Sequence, residues 1–169
     1  MCKKSVLITG VSSGLGKSMA LLFMQKGFFV AGISRNRPDF NIDLWIEADL
    51  TCRDSRKKAV EEVLIQCGGI DVIINNAGIG IYEYWEEMKE EELKRVFELN
   101  FFAPVHLTKL MMPALIESKG LIVNISSVAG VLHVPVMGGY CASKFALNAF
   151  SDSLRPEVKK YGIGILNVI

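Results

Sequence analysis

The apolar positions of this 169-residue chain fall into two alternating patterns. Short runs rich in β-branched and aromatic residues recur at SVLIT (5–9), FFVAGI (28–33), LWIEA (44–48), DVIIN (71–75), LIVNIS (121–126) and GILNVI (164–169). Each has the length and composition of a strand. Their apolar character is nearly continuous, which is the pattern of strands buried on both faces in a parallel sheet covered by helices. Between them lie stretches with helical spacing. The first is Gly14 to Lys26, closed by Gly27, and the second is Asp54 to Gln66, with Thr51 as N-cap and Gly68-Gly69 ending it. A third, Glu86 to Glu117, is interrupted by Pro104 and Pro113, of which Pro104 is expected to start or kink a segment. The last runs from Gly139 to Tyr161 before Gly162, with a bend expected at Pro156. Only SRNRPDFNID separates Ile33 from Leu44, room for at most a single helical turn. With no repeat, low-complexity tract or linker, the alternation predicts one domain, residues 1–169, with a doubly wound α/β fold of Rossmann type in three α/β/α layers.

Composition narrows the function classes. Half of the residues are hydrophobic and 22% are charged, so a substantial core is expected. The net charge is +1 and no Lys/Arg run is present, which argues against nucleic acid as a partner. Cys2, Cys52, Cys67 and Cys141 form no C-x-x-C pair and read as reduced thiols of a cytoplasmic protein. Val6–Ile8 is too short for a signal core, and no stretch is expected to span a membrane.

Candidate chemistry begins directly after the first strand. In ITGVSSGLGKS, Gly10, Gly14 and Gly16 form G-x-x-x-G-x-G, a sharp turn whose backbone a phosphate can approach closely. The helix that follows offers free N–H groups and its positive end to a pyrophosphate, and Ser12 and Ser13 could add hydroxyl donors. GKS at 16–18 resembles the end of a triphosphate-binding loop, but that motif needs glycine at position 11, where this chain has Val11. A second constellation lies in GGYCASK (138–144): Tyr140 and Lys144 are four positions apart and share one helix face. A free phenol loses its proton near pH 10, and an ammonium one turn away favours the phenolate.

Several stretches, in order from residue 9 to residue 144, resemble the short-chain dehydrogenase/reductase family. TGVSSGLG is similar to its cofactor turn (here Gly10, Ser12, Ser13, Gly14, Leu15 and Gly16), and ADL at 48–50 (Asp49, Leu50) to its adenine-contacting acid. NNAG at 75–78 (Asn76, Ala77, Gly78) is similar to its signature after the fourth strand. LN at 99–100, GLIVNISS at 120–127 and YCASK at 140–144 are similar to its catalytic Asn, Ser and Tyr-x-x-x-Lys positions. The resemblance implies hydride exchange between a nicotinamide and a carbonyl or alcohol, with Tyr140 as general acid/base. It gives Lys144 a second role in holding the nicotinamide ribose, Asn100 a role in positioning a water, and a serine the polarisation of the substrate oxygen. Ser127 is preferred to Ser126 for its thirteen-residue spacing from Tyr140.

Coenzyme preference is read at the end of the second strand. Rossmann-type sites place an acid there for the ribose hydroxyl, or an Arg nearby for the 2′-phosphate. ISRNR has Ser34 at that place, followed by Arg35 and Arg37, with Asp39 too far along to reach the ribose. NADP(H) is therefore expected over NAD(H). On the substrate side, VAGVLHVPVMGG (128–139) is apolar apart from His133, read as a loop histidine. Tyr82, Tyr84 and Trp85 form either a cleft rim or core, and an apolar or aromatic ketone or alcohol suits this lining.

Family members run well beyond the equivalent of Ile169, so a fragment or a shortened form is expected, with an exposed apolar edge. Two alternatives stay open: a nucleotide-binding regulatory protein without catalysis, and an epimerase or dehydratase with recycled coenzyme. Phe97, Phe101, Phe102, Leu147 and Phe150 exceed what one core face needs, and the family pairs these helices about a two-fold axis, so a homodimer or homotetramer is expected.

Overall fold

The computed structural model describes residues 3–169; Cys2 lies outside the described residues. Six strands, β1 (Ser5–Thr9), β2 (Phe29–Ser34), β3 (Leu44–Glu47), β4 (Val72–Asn75), β5 (Leu121–Ile125) and β6 (Gly164–Val168), form one sheet in the order β3-β2-β1-β4-β5-β6. All five pairings are parallel. The order turns back between β1 and β4, so the loops at their carboxyl ends diverge and open a crevice there. The helices are α1 (Gly14–Gln25), α2 (Arg53–Cys67), α3 (Glu90–Phe97), α4 (Ala103–Ser118) and α5 (Gly138–Lys159).

Burial on both sheet faces explains the continuous apolar strands. On one face Leu7, Ile73 and Ile122 pack with Val60 and Val63 of α2 and Leu107, Met111 and Leu115 of α4. On the other, Val6, Ile8, Ile74 and Val123 pack with Ala20, Met19 and Phe23 of α1. All five residues of β1 are buried, whereas β6 lies at the edge with Leu166 and Val168 exposed. The 34–43 connection contains no helix, as its length requires.

Four features depart from expectation. Cys52, not Thr51, holds the N-cap position of α2 and makes no side-chain cap, while both polar groups of Thr51 are engaged by Asp49. The helical stretch after Glu86 starts at Glu90 and is interrupted by a π-helical turn at Glu98–Phe102. Pro104 occupies the first turn of α4, as expected, and α4 and α5 continue through Pro113 and Pro156. Third, Leu147 is fully buried and is not surplus apolar surface. Fourth, the continuous helical run Glu90–Ser118 is long and apolar enough to cross a membrane. Its Val96, Leu107, Met111 and Leu115 are buried in this fold, which accounts for much of that apolar character.

Candidate active site

The turn after β1 is built from close backbone approaches. Gly10 has φ +74°, and a Cβ there would lie 3.0 Å from the Asn76 amide nitrogen. A Cβ on Gly16 would lie 2.1 Å from the Gly10 carbonyl oxygen, closer than any side chain permits. Thr9 fastens the turn to the end of β4: its Oγ1 accepts from the Asn76 and Ala77 amides, each at 2.9 Å. Asn76 Nδ2 in turn donates to the Thr9 carbonyl at 2.8 Å. The start of α1 has no side-chain cap and no acid in its first turn, so its amides remain available to an anion.

These elements enclose a cavity of about 300 Å³. Gly10, Ser12, Ser13, Leu15 and Gly16 line it, as do Arg35, Leu50, Asn76, Ala77 and Gly78. Gly14 and Asp49 do not. Asp49 is exposed, and its carboxylate is held below its ordinary range by the Thr51 amide first, then by the Thr51 hydroxyl. Ile33, Ser34, Asn36, Ala48, Ile79 and Leu99 complete the lining; none was singled out as a contact from sequence, although several flank residues that were.

Gly78 joins this cavity to the second constellation. A Cβ on it would lie 3.2 Å from Asn100 Oδ1 and 3.6 Å from Lys144 Nζ. Asn100 is buried in the π-helical turn with its side chain fully committed. Oδ1 accepts from the Ile79 amide (2.9 Å), while Nδ2 donates to the Ile79 carbonyl (2.9 Å) and to Ser143 Oγ (3.1 Å). Ser143, absent from the sequence expectations, donates to the Tyr140 carbonyl at 2.7 Å. Its signal was its place one turn after Tyr140, where a serine bonds back along its own helix.

Lys144 is buried and its Nζ donates to the Ile125 carbonyl at 2.8 Å. Burial lowers its pKa from 10.5 to about 8. The same ammonium lies 5.8 Å from the centroid of the Tyr140 ring. Ser127, partly exposed, accepts from the Ala129 amide at 3.1 Å, while Ser126 is buried. The structure thus brings Asn100 and Lys144 together at Gly78, with Tyr140 beside Lys144. Beneath them a buried polar ladder ties α5 to the sheet: Asn75 Nδ2 donates to Asn124 Oδ1 (2.7 Å), and Asn124 Nδ2 to Ser151 Oγ (2.8 Å).

The 131–136 segment is exposed throughout, with Leu132 58% accessible. It is fastened to the 79–88 segment by the Glu83 amide, which donates to the Val136 carbonyl at 2.8 Å. Tyr82, Tyr84 and Trp85 are exposed and so are not part of the core. His133 stacks on Phe145 with centroids 5.3 Å apart.

The sequence model of the short chain dehydrogenases matches residues 4–169. The chain is 40% identical over 163 residues to a 3-ketodihydrosphingosine reductase of Bacteroides thetaiotaomicron, covering 95% of this chain and 60% of that protein. It is 37% identical over 175 residues to an NADPH-dependent 3-dehydrocapnine reductase of Ornithobacterium rhinotracheale, covering 95% and 62%. It therefore spans about 60% of the length of these relatives. A short-chain dehydrogenase from Streptomyces avermitilis superposes with a TM-score of 0.91 at 35% identity, over 98% of this chain and 64% of that one. A metagenomic short-chain oxidoreductase in complex with NADP also superposes at 0.91, with 28% identity, over 97% and 80%.

Proposed function

Because this chain belongs to the short-chain dehydrogenase family, we propose that it carries the coenzyme site and proton-transfer residues of an NADP(H)-dependent oxidoreductase acting on an apolar ketone or the corresponding alcohol. The observation that carries this reading is the convergence of Asn100 and Lys144 on Gly78, at the end of a cavity whose turn tolerates no side chain at Gly16. The uncapped start of α1 suits a pyrophosphate, and Arg35, on the same cavity, suits a 2′-phosphate.

When bound, the nicotinamide coenzyme supplies or accepts the hydride. The residues of the chain do the rest. Ser127 orients the substrate oxygen, and the Tyr140 hydroxyl gives it a proton in reduction and takes one back in oxidation. Lys144 holds positive charge beside the phenol and offers donors to the ribose. Asn100, its side chain committed to Ile79 and Ser143, fixes the π-helical turn and so the carbonyls available to a proton-relaying water.

The exposed apolar strip 131–136 and the rim Tyr82, Tyr84 and Trp85 support an apolar substrate. The names of the two bacterial relatives, each a reductase of a 3-oxo compound, point the same way. Free thiols at Cys52, Cys67 and Cys141 suit the cytoplasm, and exposed Phe102 on the α3–α4 face suits a homodimer or homotetramer. Titration with NADPH and with NADH, followed by nicotinamide fluorescence, tests the coenzyme reading. Arg35→Ala is expected to raise the Kd for NADPH at least tenfold and that for NADH less than twofold. Equal effects on both would overturn it.

A further inference from the structure

Arg56, near the start of α2, is only 3% exposed. Its Nη2 donates to Glu98 Oε1 at 2.6 Å. Its Nε and Nη1 are buried without a hydrogen-bond partner. A second cavity lies between α2 and α4, and Arg53, Arg56, His106 and Lys109 line it. Among the described residues Glu98 is the one acid in that lining. Loss of the Glu98 charge therefore leaves a buried guanidinium uncompensated.

Glu98 is also the first residue of the π-helical turn. The Ala103 amide donates to the Glu98 carbonyl, and that bond closes the loop in which Asn100 sits. A π turn inside a helix is rare and takes up one residue more than an α turn. Side chains anchor this turn at two places. Asn100 ties it to Ile79 and to Ser143 of α5, and both amide protons of Asn100 are donated there. Glu98 ties it to α2. Neither Arg56 nor Glu98 lines the cavity at the glycine turn. We infer that Arg56 and Glu98 are positioning residues for the proposed proton transfer: their ion pair braces the π-helical turn against α2 and so keeps Asn100 in place. This rests on the reading of Asn100 given above and extends it to a pair that touches neither coenzyme nor substrate.

Hydrogen exchange of side-chain amides, followed by NMR on the labelled chain, tests the brace without needing turnover. Exchange at Asn100 requires its bonds to open, and Asn124, whose amide is buried between β5 and α5, serves as the internal control. Glu98→Gln is expected to speed exchange at Asn100 at least tenfold and leave Asn124 within twofold. On the same protein, turnover of an aliphatic 3-oxo ester is expected to fall about tenfold, with the Kd for NADPH within twofold of wild type. Arg56→Lys keeps the charge and one donor, and is expected to lie between wild type and Glu98→Gln in both exchange and turnover. Should Glu98→Gln fail to fold, Arg56→Lys decides by the same readouts. Faster exchange at Asn100 and Asn124 alike would reduce the pair to a general stabilising contact, and the inference would fall. It would fall equally if exchange at Asn100 were unchanged, or if it rose with turnover unaffected. A wild-type chain without turnover would instead overturn the reading on which the inference rests, while the exchange rates would still decide whether the pair braces Asn100.

Discussion

The proposed coenzyme side and the proposed substrate side of this site are built differently. On the coenzyme side, β1 is buried along its whole length, and the turn it feeds is held by Thr9, Asn76 and backbone contacts that exclude even a methyl group at Gly16. On the substrate side, residues 131–136 are all exposed, and Val136, a β-branched residue, adopts φ +61°. Val in the left-handed region is sterically costly. The difference teaches where preorganisation resides in this fold. On the proposed reading, groups that meet the invariant part of the chemistry are fixed by the sheet, whereas groups that would meet the variable substrate ride on an exposed connection.

The sharpest way to break this comparison is on the rigid side. Gly16→Val should abolish coenzyme binding and cost more than about 3 kcal/mol of stability, since the added Cβ meets backbone rather than a movable side chain. Urea unfolding and coenzyme titration read both effects. Asn124→Leu is next. It breaks the Asn75–Asn124–Ser151 ladder and leaves the buried Asn75 amide with only a 3.5 Å contact to Thr108, at a cost of about 2–3 kcal/mol, while the Ser151 hydroxyl keeps its bond to the Leu147 carbonyl. Because α5 carries Tyr140 and Lys144, turnover should fall together with the unfolding midpoint.

Lys144 provides a pH test of comparable size. Its folded pKa is about 8 against 10.5 for the free side chain, so between those values the unfolded chain binds more protons than the folded one. Stability of the coenzyme-free protein, relative to Lys144→Met, should therefore be greatest above pH 10.5 and decline as pH falls through about 8. The span is on the order of 3 kcal/mol. NADPH affinity should move the opposite way, weakening as pH rises through the same range and Lys144 loses its charge. A difference between the two proteins that does not change with pH would show that burial does not shift Lys144. The smallest effect belongs to the loose side. Val136→Gly should raise the Tm modestly, by relieving about 1 kcal/mol of backbone strain, and a lowered Tm would count against that strain.

Much of the rigid side was legible in sequence because its determinants are local. The six strands announced themselves by short apolar runs, Gly10 and Gly16 by their place after the first of them, and Tyr140 and Lys144 by helical spacing. What was hidden depends on partners far along the chain. The π-helical turn around Asn100 is stabilised by bonds to Ile79 and Ser143, 21 and 43 residues away. Thr51 looked like a helix cap from its position, but its hydroxyl and amide both serve Asp49. The apolar excess of α4 and α5 was overcounted at Leu147, whose burial comes from the tertiary fold rather than the helix pattern. Lys17, read only as part of a failed triphosphate motif, pairs with Asp39 across a loop.

The central claim is that Tyr140 moves the proton at a site the rest of the chain assembles. It is tested most directly by measuring NADPH binding and turnover of an apolar 3-oxo substrate on the same Tyr140→Phe protein. Turnover reduced about 10³-fold, with the Kd for NADPH within threefold of wild type, is the result expected of a general acid/base in an otherwise intact site. Turnover within tenfold of wild type would contradict that role and assign the proton transfer to another group.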